Sequence, residues 1–206
     1  LDPVAVVMKT SLLAVVLMSF FYAKDFFERH GGEKNTFFIL ALFSTLGMMI
    51  LISAHSLLTV YLGLELLSLS LYAMVAMDRD SGKASEAAMK YFVLGAMASG
   101  LLLYGMSILY GVSGTLDLSE LSSQRLLDSD RLLYAFALVF ILIGVAFKLG
   151  VAPFHMWVPD VYEGSTTPVA LFLSSAPKLA AFVMALRLLA EGMGGLAGDW
   201  QLMLIA

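Results

Sequence analysis

Apolar runs long enough to cross a lipid bilayer recur along the whole chain. A membrane-spanning helix needs about 20 mostly apolar residues. Such runs cover approximately residues 4–23, 36–54, 57–77, 87–111, 132–162 and 167–189, and another starts at 200. The sequence therefore predicts an all-α fold, a polytopic transmembrane helix bundle forming a single domain. Because the chain starts without methionine and stops inside the last run, we expect residues 1–206 to be truncated at both ends.

The composition agrees with a membrane protein and argues against several other classes. Hydrophobic residues make up 60% of the chain and charged residues 14%, with a mean hydropathy of +0.90, whereas soluble domains carry about 25% charged residues. The net charge of −4 leaves no basic surface for nucleic acid. The chain has no cysteine and its three histidines are scattered, which disfavours an iron–sulfur or zinc site and a haem. We therefore expect no metal and no cofactor in this chain.

The fifth apolar run contains glycine and proline where they disfavour a continuous helix. Gly150 and Pro153 interrupt the run, and Pro159 follows. Proline lacks a backbone N–H and clashes with the preceding helical turn. Backbone groups freed at membrane depth persist only inside protein or beside water. The pattern predicts a helix broken near Gly150–Pro153, a feature that marks binding and conduction sites in transporters. The alternative is a plain helix that ends at the membrane surface before an ordinary loop.

The longest polar connection, residues 112–130, also carries a pattern of its own. It contains spaced leucines, namely Leu116, Leu118, Leu121, Leu126 and Leu127. This spacing suggests a short amphipathic helix lying at the membrane interface.

Basic residues are divided unevenly between the two sides of the predicted bundle. Loops on one side hold five of them, Lys24, Arg29, Lys34, Arg79 and Lys83. Loops on the other side hold three, Arg125, Arg131 and Arg187. The positive-inside rule then places the first loop in the cytoplasm.

Three ionisable residues lie deep inside apolar runs, where lipid-facing positions exclude them. Glu65 is near the middle of the third run, Lys148 just before the break in the fifth, and Lys178 near the middle of the sixth. Each charge at a helix centre costs about 2.5–3.5 kcal/mol, so three cost on the order of 8–10 kcal/mol. They must face one another or internal water. The alternative is a structural ion pair between Glu65 and one lysine, which leaves the second lysine unexplained.

These residue types suit proton transfer. A buried lysine tends to lose its proton, and a nearby carboxylate favours keeping it. Movement of Glu65 relative to Lys148 would therefore load and unload a proton, which Lys178 could accept through ordered water. Several polar residues in the same runs are able to hold such water: Ser68, Ser70, Thr167, Ser174 and Ser175.

Two further residues are weaker candidates for the same path. Lys90 lies about one turn inside the fourth run with Glu86 one turn earlier, so its side chain could equally reach the interface. His155 follows the break and could shuttle protons, because histidine titrates near neutral pH. A loop histidine with satisfied hydrogen bonds is the alternative.

Two long motifs resemble a known family. Residues 55–68, HSLLTVYLGLELLS, resemble the acidic fifth helix of the antiporter-like subunits of respiratory complex I, the bacterial NADH:quinone oxidoreductase. Residues 147–164, FKLGVAPFHMWVPDVYEG, resemble the broken seventh helix of the same subunits. Residues 161–164, VYEG, are similar to the same segment in the N-type subunits, the counterparts of mitochondrial subunit 2.

The resemblance implies a fold of fourteen helices, of which this chain corresponds to the third to the eighth and the start of the ninth. It implies that Glu65 and Lys148 form the glutamate–lysine pair, with Lys178 as the next lysine and Lys90 as the sixth-helix lysine. The family's basic residue on the twelfth helix lies outside this chain, so the exit half of the path is missing.

The resemblance also implies a function. The chain would be a proton-translocating subunit of a translocase in the bacterial inner membrane, in contact with lipid and with other membrane subunits of complex I. NAD, FMN, iron–sulfur clusters and quinone would belong to partner subunits. The alternatives are a cation/proton antiporter subunit of the same fold, a structural membrane subunit with vestigial charges, and a subunit of a membrane-bound hydrogenase.

Overall fold

The structure, a computed structural model, describes residues 2–123 and 131–205. These described residues form nine α-helices: α1 (Pro3–His30), α2 (Lys34–Ile52), α3 (Leu57–Val75), α4 (Gly82–Ser113), α5 (Leu118–Ser123), α6 (Arg131–Leu149), α7 (Trp157–Gly164), α8 (Thr167–Ala185) and α9 (Ala197–Ile205). A π-helical turn (Leu186–Gly192) and a 3₁₀ turn (Gly194–Leu196) join α8 to α9. The described residues form no β-strand. The prediction of an all-α bundle is confirmed.

In the part of the chain that the structure describes, six helices are long and apolar enough to cross a membrane: α1, α2, α3, α4, α6, and α8 together with its π-helical turn. Side-chain caps define several of their starts. Asp2 accepts a hydrogen bond from the backbone of α1, Ser56 from that of α3, and Ser81 from that of α4. These caps satisfy backbone N–H groups that a helix leaves free at its N-terminus.

Two helices extend further than the apolar runs predict. α1 continues through the charged stretch after residue 23, where Arg29 pairs with Asp25 at 3.0 Å and Lys24 with Glu28 at 4.0 Å. Both pairs have the i,i+4 spacing that supports a helix outside the membrane. α4 begins at Gly82, inside the predicted loop.

Glycines allow the spanning helices to approach closely. A Cβ at Gly47 of α2 would lie 2.6 Å from the backbone nitrogen of Leu67 in α3. A Cβ at Gly105 of α4 would lie 2.8 Å from the Ala137 carbonyl oxygen in α6. Small residues at such crossings bring backbones into van der Waals contact, the main source of helix association in lipid. The bundle is therefore built from two tight pairs, α2 with α3 and α4 with α6.

The fifth predicted span is broken, as the glycine and proline pattern indicates. α6 ends at Leu149, and helical structure resumes only at Trp157. Gly150 has a φ of +73°, a left-handed conformation that favours glycine. Turns fill the gap, in which Phe154 donates its N–H to the Val151 carbonyl at 2.8 Å. The prediction of a broken helix is confirmed.

The connection after α4 contains a short helix, α5, as predicted. Its apolar side, Leu118 and Leu121, is buried against the protein. Leu118 lies against the π-helical turn, because a Cβ at Gly192 would come within 3.0 Å of it. Backbone bonds also tie this segment to the α2–α3 turn, with Leu57 N–H donating to Leu116 O at 2.8 Å. Leu126 and Leu127 lie outside the described residues.

Arg187 is not a loop residue, contrary to its place in the basic-residue count. It lies in the π-helical turn and is 3% exposed. Its guanidinium donates to both carboxylate oxygens of Glu191 at 2.7 Å, to the Asp2 carboxylate, and to Ile52 O at 3.3 Å. These carboxylates and the carbonyl at the end of α2 compensate its charge, which makes its burial possible. Without Arg187, the loops on the side opposite the first loop keep two of the predicted basic residues, Arg131 and Arg125. Arg125 lies outside the described residues.

Candidate functional site

Lys148 occupies the last turn of α6 and points towards α3. Its ammonium group donates a hydrogen bond to Ser68 Oγ at 2.6 Å. Ser68 is fully buried, and its hydroxyl donates in turn to the Leu64 carbonyl within α3. The rings of Tyr72 and Phe147 flank the ammonium group, with centroids 5.6 and 5.8 Å away. Aromatic faces attract a cation, so these surroundings fit a protonated lysine.

Glu65 lies one turn before Ser68 on α3 and is half-buried. Its carboxylate accepts a hydrogen bond from the Ser99 hydroxyl on α4. No ion pair within 4.0 Å links it to Lys148 in the part of the chain that the structure describes. The predicted pair is therefore indirect here: the Glu65 carboxylate accepts from Ser99, and the Lys148 ammonium group donates to Ser68.

Lys178 reaches from α8 to the end of α6. Its ammonium group donates to Lys148 O at 3.2 Å and to Leu149 O at 3.0 Å. In a continuous helix the Leu149 carbonyl would accept the N–H of residue 153, but proline has none. The break therefore leaves carbonyls at a helix C-terminus, where a cation is favourable. The face of Trp157 lies 5.0 Å from the same ammonium group.

Both lysines line the same small cavity. Its volume is about 20 Å³, and Tyr91, Trp157 and several leucines complete the lining. A water molecule needs about 10–15 Å³ of such space. The cavity is therefore large enough for one water, and the two lysines are the charged groups of a mostly apolar lining.

Lys90 lies in a different place from these groups. Its ammonium group contacts Glu86 at 2.8 Å and Asp160 of α7 at 2.9 Å. An open cavity of about 150 Å³ surrounds these three residues and the nearby pair of Lys83 and Glu163, whose charged atoms are 3.1 Å apart. The residue after Lys90, Tyr91, stacks on Trp157 with ring centroids 4.6 Å apart and lines the inner cavity. Lys90 thus lines the outer cavity, and its neighbour Tyr91 lines the inner one.

His155 is exposed in the turn between α6 and α7. Its backbone carbonyl accepts the Val158 N–H at 2.9 Å. Across residues 2–123 and 131–205 no hydrogen bond joins its ring to Lys148 or Lys178. The structure therefore does not bring His155 to the other candidates.

Three residues of the site escaped the sequence reasoning. None of the predictions above gives a role to Ser99, and Trp157 and Asp160 appear there only within the motif at residues 147–164. Trp157 is 2% exposed and donates its indole N–H to Phe147 O at 3.1 Å, which fixes α7 against the end of α6. Ser99 is a polar residue within an apolar helix, and this position could have marked it as a candidate for the site. The partner of Asp160 lies 70 residues away in the chain and could not be read locally.

Other predicted water-holding residues have local partners. Ser70 donates to Leu66 O at 2.7 Å, and Ser174 and Ser175 donate to Leu171 O at 3.1 and 2.7 Å. These are carbonyls of the preceding turn in the same helix. Of the five, Ser68 is the one bonded to a candidate lysine.

A family model described as NADH:quinone oxidoreductase/Mrp antiporter, TM, matches residues 54–206. The chain belongs to this family. Curated relatives named NADH-quinone oxidoreductase subunit N include those of Thioalkalivibrio sulfidiphilus, 53% identical, and Alkalilimnicola ehrlichii, 52% identical, both over 205 residues. They match 98% and 99% of this chain, which spans only 43% and 42% of their own lengths.

Solved structures agree with this family. Respiratory complex I from Thermus thermophilus with bound aureothin contains a chain similar to this one, with 40% identity and a TM-score of 0.73. The match covers 87% of this chain and 39% of that chain. The Mrp complex from Dietzia sp. DQ12-45-1b gives a TM-score of 0.75 at 23% identity, covering 91% of this chain and 35% of that one, which shows the shared fold. With six candidate spans, this member of the family is a multi-pass protein of the bacterial inner membrane.

Proposed function

We propose that this chain forms the proton-translocating part of a membrane subunit of NADH:quinone oxidoreductase, with Glu65, Lys148 and Lys178 as the groups that carry or control the proton. The observation that supports this most is that Lys148 and Lys178 both line one cavity, whose volume is sufficient for one water. Three charges inside spanning helices are costly, and a purely structural pair would need only one lysine.

The proposed path runs between helices α6 and α8. Lys148, held by Ser68, passes a proton through the cavity to Lys178. A single bridging water is sufficient, because water both donates and accepts hydrogen bonds. Apart from the two lysines the lining is mostly apolar, which favours a proton held on the lysines over one in an open channel.

Glu65 controls the charge of Lys148 in this proposal. A carboxylate near a lysine favours the protonated form, and Ser99 of α4 holds that carboxylate in place. A movement of α3 against α4 or α6 alters the distance between the two charges. The Ser99–Glu65 and Ser68–Lys148 bonds are therefore the contacts that such a movement would change.

Lys90 and His155 have a secondary place in the proposal. Lys90 lines the open cavity with Asp160 and Glu86, whereas Lys148 and Lys178 line the other one. It would exchange protons with the surface rather than directly with Lys148. His155 is exposed and would act only if other parts of the full-length subunit approach it.

The same proposal assigns the partners. Relatives at 53% and 52% identity are named as subunit N of NADH-quinone oxidoreductase, so we place the chain among other membrane subunits in a hetero-oligomer. NADH oxidation and quinone reduction, with NAD, FMN, iron–sulfur clusters and quinone, belong to those partners. The chain is then part of a translocase without a redox centre of its own. The Mrp likeness, at 23% identity, supports the antiporter alternative less.

The test is NADH-driven proton uptake into inverted membrane vesicles that carry the full-length subunit with Lys148→Ala in the assembled complex. Lys24→Ala is the matched control, because Lys24 is 62% exposed at the end of α1. We expect Lys148→Ala to assemble and to lose most proton uptake and coupled quinone reduction, while the control keeps both.

Two results would contradict the proposal. An assembled Lys148→Ala complex with the normal proton-to-electron ratio would make the lysine dispensable. Loss of assembly in Lys148→Ala, with normal pumping in an assembled Lys148→Gln complex, would support the structural alternative.

A further inference from the structure

The end of α6 forms a position that suits a small cation. The Lys148 and Leu149 carbonyl oxygens lie 3.2 and 3.0 Å from one point, the Nζ atom of Lys178. Both belong to the last turn of a helix, where the partial charge is negative. The face of Trp157 lies 5.0 Å away on another side. Carbonyl oxygens and an aromatic face are groups that stabilise a cation at membrane depth.

The chain supplies the cation for this position itself. Lys178 comes from a different helix and donates to both carbonyls, which lack their normal helical donors because of the break. Gly150 is part of the fit, because a Cβ there would lie 3.2 Å from the Lys178 Nζ. The ammonium group therefore occupies the place that a free monovalent cation would otherwise take.

We propose that Lys178 makes this site selective for protons, by occupying a carbonyl position that would otherwise bind Na⁺. The consequence for transport rests on the proposed function, whereas the occupancy of the carbonyl position does not. Tethering gives the lysine a high effective concentration at the site. A neutral amine keeps two N–H donors, so Lys178 can release a proton and still satisfy both carbonyls. Na⁺ is then excluded in both charge states.

Removal of the side chain opens the position. In Lys178→Ala the two carbonyls lose their donor, and the space left by the lysine joins the cavity of about 20 Å³ beside it. Na⁺ could then bind the two carbonyl oxygens and complete its coordination with water. A buried carbonyl without a partner is unfavourable, so the opened site favours any cation small enough to enter.

The experiment measures equilibrium binding of sodium-22 to the purified, assembled complex, without NADH. We expect saturable binding in Lys178→Ala and in Lys178→Ser that unlabelled Na⁺ displaces and choline does not. Wild type, Lys178→Arg and the exposed control Lys24→Ala should show no such binding above their common background. The second opening variant, Lys178→Ser, keeps the measurement possible if alanine impairs assembly.

The two possible results are distinct. If the assembled Lys178→Ala or Lys178→Ser complex binds no more sodium-22 than wild type, the inference is overturned. If Lys178→Arg binds as much as alanine does, a retained cation does not exclude Na⁺ and the inference is also overturned. Because the assay uses no turnover, a failure of the Lys148 pumping test would overturn the proposed function and leave this result unaffected.

Discussion

The contact between Lys148 and Ser68 allows a single hydroxyl to be tested. Ser68→Ala removes the acceptor that lies 2.6 Å from the ammonium group. The Leu64 carbonyl loses the serine hydroxyl as well, but within α3 it still has a backbone donor. The main loss therefore falls on Lys148.

The size of the effect follows from the charge. A hydrogen bond to a charged group contributes about 1.5–3 kcal/mol, and each 1.4 kcal/mol is about tenfold in an equilibrium. The equilibrium constant for holding Lys148 in its present charged position should then fall about 10- to 150-fold. A water entering from the neighbouring cavity would bring the effect towards the lower figure. We therefore expect proton uptake to fall at least about tenfold.

The assay is NADH-driven proton uptake into inverted vesicles, with the amount of assembled complex measured alongside. Ser70→Ala is the matched control. Ser70 is on the same helix and nearly as buried, and its hydroxyl bonds only to Leu66 O within that helix. It should pump normally. Equal pumping by the two alanine variants would refute the argument that Ser68 holds Lys148 in a working position.

Two other predictions concern stability and pH. Gly47→Ala should lower the aggregation temperature of the full-length subunit in detergent, because its Cβ would meet the α3 backbone at 2.6 Å and overpacking costs about 1–3 kcal/mol. The control Gly111→Ala, whose Cβ would have nothing within 4 Å, should leave that temperature unchanged. Equal effects of the two variants would contradict the close α2–α3 packing. Hydrogen bonds from Ser119 and from the α5 backbone lower the pKa of Asp117, so its stabilisation of α5 is present above the usual aspartate value of about 4 and is lost as pH falls through the lowered pKa. Protection of the α5 amides, the ratio of the intrinsic to the measured hydrogen-exchange rate, should therefore fall on acidification, and Asp117→Asn should remove that dependence. An unchanged pH profile in Asp117→Asn would show that another group is responsible.

The spanning helices and the break follow from local sequence. Lipid requires runs of about 20 apolar residues, so the runs themselves identify the spans. Glycine and proline disfavour a continuous helix in any surroundings, so Gly150 and Pro153 predict the break without tertiary information. Glu65, Lys148 and Lys178 stood out because a charge inside an apolar run needs a partner.

The contacts between helices could not be predicted in the same way. Ser99 and Glu65 are separated by 34 residues, and their bond depends on how α4 is rotated against α3. Arg187 appeared to be a loop residue because it lies near the end of an apolar run. Its burial depends on Asp2, 185 residues away, which no local pattern indicates.

The buried Arg187 also determines how α8 can move. Its bonds to Asp2 and Ile52 attach this end of the helix to α1 and α2. Lys178 lies nine residues earlier, a separation of about 13.5 Å at 1.5 Å per residue. A tilt of about 5° around the attached end would displace the backbone at Lys178 by about 1.2 Å. That displacement is enough to lengthen its 3.0 Å contact with Leu149 O beyond hydrogen-bond range. An angular change too small to repack the bundle would thus make or break the contact between Lys178 and Leu149 O.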